Sequence, residues 1–160
     1  MSTQTPLAVS PTEAKRLTPA MSLRFASVLT FLHCIGHTIG GVVGVDAPAG
    51  TAEGAVVEVM KSKHFEVMGA SRSYWDFFFG FGLIITVTLL IQSVLFWQLA
   101  GLAKIDAARI RPIIAGFFFA NIAYGILAWR FFFAPPLIGS VLTAIALGLA
   151  YLKARLRPVV

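Results

Sequence analysis

Three histidines carry the side chains of this sequence best suited to acid–base or metal chemistry. His33 and His37 lie four residues apart inside a long apolar stretch, and His64 follows in a more polar segment. Histidine titrates near neutral pH and also binds transition metals, so it can donate a proton, accept one or act as a ligand. Residues at positions i and i+4 share one face of a helix, so we expect His33 and His37 to project from the same side, into the protein.

Other polar residues are predicted to accompany the histidines. Asn121 and Tyr124 are three residues apart and, with the small residues Gly125 and Ala128, predict a polar, inward-facing strip on one helix. Arg72, Asp76 and Arg130 are expected at the same end of the protein as the histidines. The predicted ligand-binding residues are therefore His33, His37, His64, Arg72, Asp76, Asn121, Tyr124 and Arg130. The pattern identifies no catalytic residue and no cofactor.

The first hypothesis is a pocket for a hydrophobic small molecule such as a lipid, a quinone or an isoprenoid. Pockets between bundle helices are mostly apolar with a few placed polar groups. The polar end would be formed by His37, His64 and Asp76, with either histidine as the proton donor or acceptor. The predicted walls are Phe77, Phe78, Phe79, Phe81, Phe117 and Phe118.

The second hypothesis is a transition-metal site. His33, His37 and His64 would bind the ion, with Asp76 as a fourth ligand. His33 and His37 project from one side of a helix, so they cannot provide opposite axial ligands to one haem. The structural alternative is that these two histidines hydrogen-bond to neighbouring helices and hold them together.

The third hypothesis is a non-catalytic subunit of a larger membrane complex. Gly36, Gly40 and Gly44 repeat at four-residue spacing, and such a ridge lets another helix approach closely. The ridge suits packing within the chain, which we favour, or association with a second copy or a different protein. Asp76 has a structural alternative as well, because Ser73 and Asp76 form the pattern of a helix capping box.

Composition predicts the medium in which these residues lie. Of the 160 residues, 58% are hydrophobic and only 12% are charged, about half the charged fraction of average soluble domains. So few charges cannot cover so much apolar surface in water, so we expect a lipid bilayer. The basic residues flank apolar runs, which sets membrane orientation and argues against nucleic acid as a partner.

The single cysteine, Cys34, excludes a disulfide within the chain and is expected to be buried.

The apolar runs predict an all-α, four-helix transmembrane bundle in one domain, residues 20–160, behind a flexible cytoplasmic tail, residues 1–19. Residues 55–68 predict a short amphipathic helix on the outer membrane surface, with His64 on its apolar face and directed at the bundle. Crossing a bilayer takes about 20 apolar residues. The predicted spans are residues 22–45, 74–100, 112–133 and 137–152.

The distribution of basic residues predicts that both termini are cytoplasmic. Nine basic residues flank the predicted inner ends of the spans, against four on the other side, and an even number of spans agrees. The nine are Lys15, Arg16, Arg24, Lys104, Arg109, Arg111, Lys153, Arg155 and Arg157, and the four are Lys61, Lys63, Arg72 and Arg130.

Two segments, HCIGHTIGG at residues 33–41 and MKSKHFEVMGASRSYWDFFFGFGL at residues 60–83, resemble a family of small, uncharacterised bacterial integral membrane proteins. Members have a similar histidine- and glycine-containing first helix and an RSYWDF-type start to the second. The resemblance covers the first two helices and implies four spans and a bacterial source, with no activity attached. We therefore expect a multi-pass protein of the bacterial inner membrane. The layout is also loosely similar to DoxX-like proteins and to emopamil-binding-type sterol isomerases, but their signature residues are not in register.

Overall fold

The computed structural model describes residues 17–45 and 47–154. The first helix, α1, runs from Pro19 to His37. Thr18 caps it, since its hydroxyl accepts a hydrogen bond from the Met21 N–H at 3.2 Å, and proline is tolerated at the first helical position. Residues 1–16, the larger part of the predicted tail, lie outside the described residues, as do residues 155–160.

The first span continues beyond His37 as a π-helical segment, Thr38–Val43. It ends where the Gly44 N–H donates a hydrogen bond to the Ile39 carbonyl at 2.8 Å. A Cβ at Gly44 would lie 2.7 Å from that same oxygen, so this wide turn closes only around glycine. Gly44 therefore has a local role, which separates it from the predicted glycine ridge.

A short helix and a β-hairpin connect the first two spans. Helix α2, Ala52–Ser62, is the short helix that the sequence predicts between the first two spans. Its predicted end at residue 68 is wrong, because His64–Val67 and Ala70–Ser73 form two antiparallel strands, β1 and β2. Exposed and half-buried residues alternate along β1, which is the period of a strand. Met68 and Gly69 occupy the turn, both with positive φ, as a type I′ hairpin turn requires.

The remaining chain forms three long helices, α3 from Tyr74 to Asp106, α4 from Arg111 to Phe131 and α5 from Ala134 to Lys153. With the first span, Pro19–Val43, four helices of the described chain are long and apolar enough to cross a membrane. The prediction of four spans with a short helix between the first and second is confirmed. These helices support a multi-pass integral membrane protein.

The first helix is central to the packing. Helix α1 packs along α3 on one side and α5 on the other, and α4 packs along α5. The apolar core lies at the end of the bundle where α1 begins and α3 ends. There, all four long helices contribute fully buried side chains, among them Leu23, Phe96, Ile114 and Leu147. Phe96 also contacts Phe117 edge-on, with the ring centroids 5.0 Å apart.

Replacing Phe96, which is fully buried, with alanine should lower the free energy of unfolding by roughly 2 kcal/mol, because the cavity that remains loses van der Waals contacts. The matched control is Phe25→Ala, which removes the same ring from a position that is 61% exposed and faces lipid. Thermal or denaturant unfolding of the purified protein in detergent measures both. Equal losses from the two substitutions would contradict the location of the core.

Candidate functional site

His37 forms a hydrogen bond between the first and second spans. Its Nε2 atom lies 2.9 Å from the carbonyl oxygen of Gly82 on α3. A carbonyl can only accept, so the proton is on Nε2 and a neutral His37 has its Nδ1 unprotonated. The close approach depends on Gly82, where a Cβ would meet the Val42 side chain at 3.0 Å. His37 thus acts between helices as the structural alternative predicts.

Small polar side chains extend this contact along α1 and α3. Thr38 donates to the Cys34 carbonyl at 2.8 Å, and its hydroxyl also lies 3.0 Å from that of Thr86. Buried Cys34 makes a longer contact, with its Sγ 3.4 Å from the Thr86 carbonyl oxygen. Nearer the core, Ser27 and Ser93 each donate to the other's carbonyl, at 2.7 and 3.1 Å. We call the set formed by Ser27, Cys34, His37, Thr38, Gly82, Thr86 and Ser93 the polar seam.

His33 faces a different helix from His37. Its ring is half-buried against Gly139 of α5, where a Cβ would lie only 2.7 Å from the His33 Nδ1 atom. The two histidines therefore both project inward, as their spacing predicts, but they diverge to opposite neighbours of α1.

His64 lies where the prediction did not place it. It belongs to β1 rather than to the surface helix, it is exposed, and its Nδ1 lies 3.2 Å from the Ser62 carbonyl oxygen. The prediction that its side chain is directed at the bundle is wrong, because the change from helix to strand turns it outward. In the hairpin it pairs with Ser73, the residue that caps α3.

Asp76 has the capping role that its spacing predicts. Its Oδ2 accepts from the Ser73 N–H at 2.7 Å, and its own N–H donates to the Ser73 hydroxyl at 3.2 Å. Both contacts of the capping box are present. Arg72, next to this cap, is exposed and donates to the neighbouring Ser71 carbonyl at 2.7 Å.

The predicted polar strip on α4 is only partly inward. Asn121 is buried, but its amide donates to the Phe117 carbonyl of its own helix at 2.9 Å. Tyr124 is 44% exposed, so its assignment to the inward face is wrong. Arg130 is exposed beside the Phe131 ring, 5.3 Å from its centroid.

Neither the metal site nor the aromatic pocket forms as the sequence suggests. Within residues 17–45 and 47–154, no three histidine, cysteine or acidic side chains are grouped so that they could hold a metal ion. The predicted aromatic pocket is wrong, because the phenylalanines that would form its walls lie at opposite ends of the bundle. Phe77 and Phe81 are exposed at the start of α3, whereas Phe117 and Phe118 pack beside the core at the opposite end.

A groove that the sequence analysis missed lies on the lipid-facing side of α1 and α3. It has a volume of about 300 Å³ and exists because small serines lie between larger neighbours. Its lining residues are Ser27, Val28, Phe31, Ser93, Val94 and Trp97. Each serine lies among bulky apolar residues in the sequence, and this pattern is the only local sign of a groove. The groove needs both serines, and the sequence of one helix does not show which serine of another helix lies opposite.

Comparison of the chain with protein-family models, with curated proteins and with solved structures finds no match.

The contact between His33 and Gly139 predicts opposite effects for the same substitution at two glycines. Gly139→Ala should lower the free energy of unfolding by about 1–3 kcal/mol, because the new methyl group overlaps the His33 ring. Gly116→Ala, at a helical glycine where a Cβ meets no described atom within 4 Å, should instead raise it by up to about 1 kcal/mol.

A double-mutant cycle isolates the pair. In a His33→Ala background the cost of Gly139→Ala should largely disappear, since the ring that it overlaps is gone. An unchanged cost would mean that Gly139 is constrained by something other than His33.

Proposed function

We propose that this integral membrane protein binds the hydrophobic chain of a lipid-type small molecule, and that the chain lies in the groove between α1 and α3. The groove itself, walled by Val28, Phe31, Val94 and Trp97, is the observation that carries the proposal. This groove replaces the pocket at His37, His64 and Asp76 that the sequence suggests, because the predicted aromatic walls of that pocket do not come together.

Several properties of the groove suit an acyl or isoprenoid chain. Its volume, about 300 Å³, is at the lower end of the range for ligand pockets, roughly 300–1,000 Å³. The two serine hydroxyls at its floor already hydrogen-bond to each other's backbone, so they require nothing from a ligand. A hydrocarbon chain can therefore occupy the groove without leaving either serine hydroxyl short of a hydrogen bond.

We further propose that both termini are cytoplasmic and that the membrane is a bacterial inner membrane, as the basic residues and the family resemblance suggest. In this orientation the groove lies in the inner half of the bilayer. The hairpin of β1 and β2 is then on the outer side.

Filling the groove should reduce lipid retention. Val94→Phe adds bulk at the groove wall, whereas Val87→Phe makes the same change one heptad earlier on α3, at an exposed position that does not line the groove. Native mass spectrometry after detergent exchange measures the fraction of protein that carries a bound lipid. We expect Val94→Phe to lose most of that fraction and Val87→Phe to keep it.

Equal retention in both variants, or no bound lipid in the wild-type protein, would contradict the groove as a binding site. Thermal unfolding of the same samples checks that each variant is folded. A loss confined to the unfolded fraction of Val94→Phe would also count against the proposal, since it would reflect folding rather than binding.

A role as a subunit of a membrane complex is a second candidate, favoured by Gly36 and Gly40. Their spacing predicts packing within the chain, but both glycines are exposed, and a Cβ at either meets no described atom within 4 Å. Their open face would accommodate a helix of a second copy or of another membrane protein.

The subunit candidate predicts that enlarging this face disrupts assembly. Gly36→Leu/Gly40→Leu should convert oligomers into monomers, because the leucines prevent close approach of the backbones. The matched control is Gly101→Leu/Gly116→Leu, at two exposed helical glycines that also have open surroundings. Photobleaching-step counting in dilute lipid bilayers gives the oligomeric state, with co-purification for a different partner. Wild-type monomers that co-purify with nothing would count against this candidate.

A further inference from the structure

We propose that a cavity at the end of the bundle where α1 begins binds a phosphate-bearing anion. The cavity has a volume of about 1320 Å³, it is broadly open to the surroundings, and its charged side chains are exposed. The start of α1, the end of α3, the loop before α4 and the end of α5 all contribute to its walls. Its charged lining residues are Arg24, Lys104, Asp106, Arg109 and Lys153.

The cavity has a strong excess of positive charge. Four cationic side chains line it against one carboxylate, and that carboxylate has a structural partner, because Asp106 Oδ1 accepts from the Arg109 backbone N–H at 3.1 Å. None of the four cations forms an ion pair with a carboxylate in the part of the chain that the structure describes. A bound anion would therefore meet cations that are not already neutralised.

The types of side chain favour phosphate among anions. Arginine presents a planar fork that matches two phosphate oxygens, and lysine adds a mobile point charge. Arg24 is partly positioned in advance, since its guanidinium lies over the Trp97 ring, 4.8 Å from the centroid. The N-terminal turn of α1 lines the cavity, but so do the C-terminal ends of α3 and α5, so the positive potential comes from the side chains rather than from helix dipoles.

Basic residues from separate parts of the chain line the same cavity, which distinguishes this site from basic residues that only set the orientation of a membrane protein. Flanking lysines and arginines need not face one another to set orientation. Here Arg24, Lys153 and the pair Lys104 and Arg109 come from three separate segments and line one cavity. Basic pockets of this kind at the ends of transmembrane helices suit phosphate-containing lipid headgroups, and a soluble organic phosphate would present the same chemistry.

The anion site does not depend on the groove between α1 and α3. The two meet where Arg24, which lines the cavity, contacts Trp97, which lines the groove. One phospholipid could use both, but a phosphate can bind the cavity while the groove is empty. Loss of chain binding with anion binding retained would therefore overturn only the proposed function.

The experiment compares two variants with the same charge change in the full-length protein. Lys104→Gln/Arg109→Gln removes two cations from the cavity. Lys63→Gln/Arg72→Gln removes one lysine and one arginine from the hairpin region, at exposed positions outside the cavity. One arm measures, by native mass spectrometry, the enrichment of bound phosphatidylglycerol over phosphatidylcholine from an equal mixture. The other titrates glycerol 3-phosphate into protein in phosphatidylcholine nanodiscs by calorimetry.

We expect the cavity variant to lose affinity by about ten-fold or more in at least one arm, because two charge-assisted contacts are removed, while the hairpin variant stays within about two-fold of the wild type. Enrichment of the anionic lipid alone identifies a headgroup site, and binding of glycerol 3-phosphate identifies a site for a free phosphate. Equal losses in the two variants, or no preference and no binding in the wild type, would overturn the proposal.

Discussion

The structure depends on how helices attach to one another in a medium that is as apolar as their side chains. Burying leucine against leucine gains little when the alternative is lipid, so close backbone approach and hydrogen bonds between helices matter more. Helix α1 provides these on both sides. Its polar seam joins α3 through Ser27 and Ser93 at one end and through His37 and Gly82 at the other, and His33 packs against Gly139 of α5.

The binding features proposed here follow from that arrangement. The serines of the seam are small, so their contact leaves the groove between larger neighbours such as Val94 and Trp97. The apolar core gathers at the same end, around Leu23 and Phe96, and the cationic cavity opens where these helices end. Both proposed binding features therefore lie at the end where α1 begins, whereas the hairpin of β1 and β2, with His64, lies at the opposite end.

The sequence predicts local features well and contacts between helices poorly. Four spans follow from hydropathy, and the cap of α3 follows from the spacing of Ser73 and Asp76. A membrane helix is apolar on all sides, however, so its periodicity does not indicate which face meets a neighbour. The partners of His33 and His37 are Gly139 and Gly82, and a glycine far along the chain carries no mark of its partner. The position of His64 cannot be predicted, because its four-residue strand is too short to stand out from the preceding helix in the sequence.

Disulfide cross-linking in native membranes tests the central role of the polar seam most directly. In a Cys34→Ala background, Ser27→Cys/Ser93→Cys replaces two hydroxyls whose oxygens lie 3.4 Å apart, close enough to favour a disulfide under mild oxidation. The control pair, Ser27→Cys/Thr88→Cys, uses an exposed position on α3 whose hydroxyl bonds only within its own helix. We expect rapid cross-linking of the first pair and little of the second. Cross-linking of the first pair no faster than that of the second would mean that the polar seam does not hold α1 against α3.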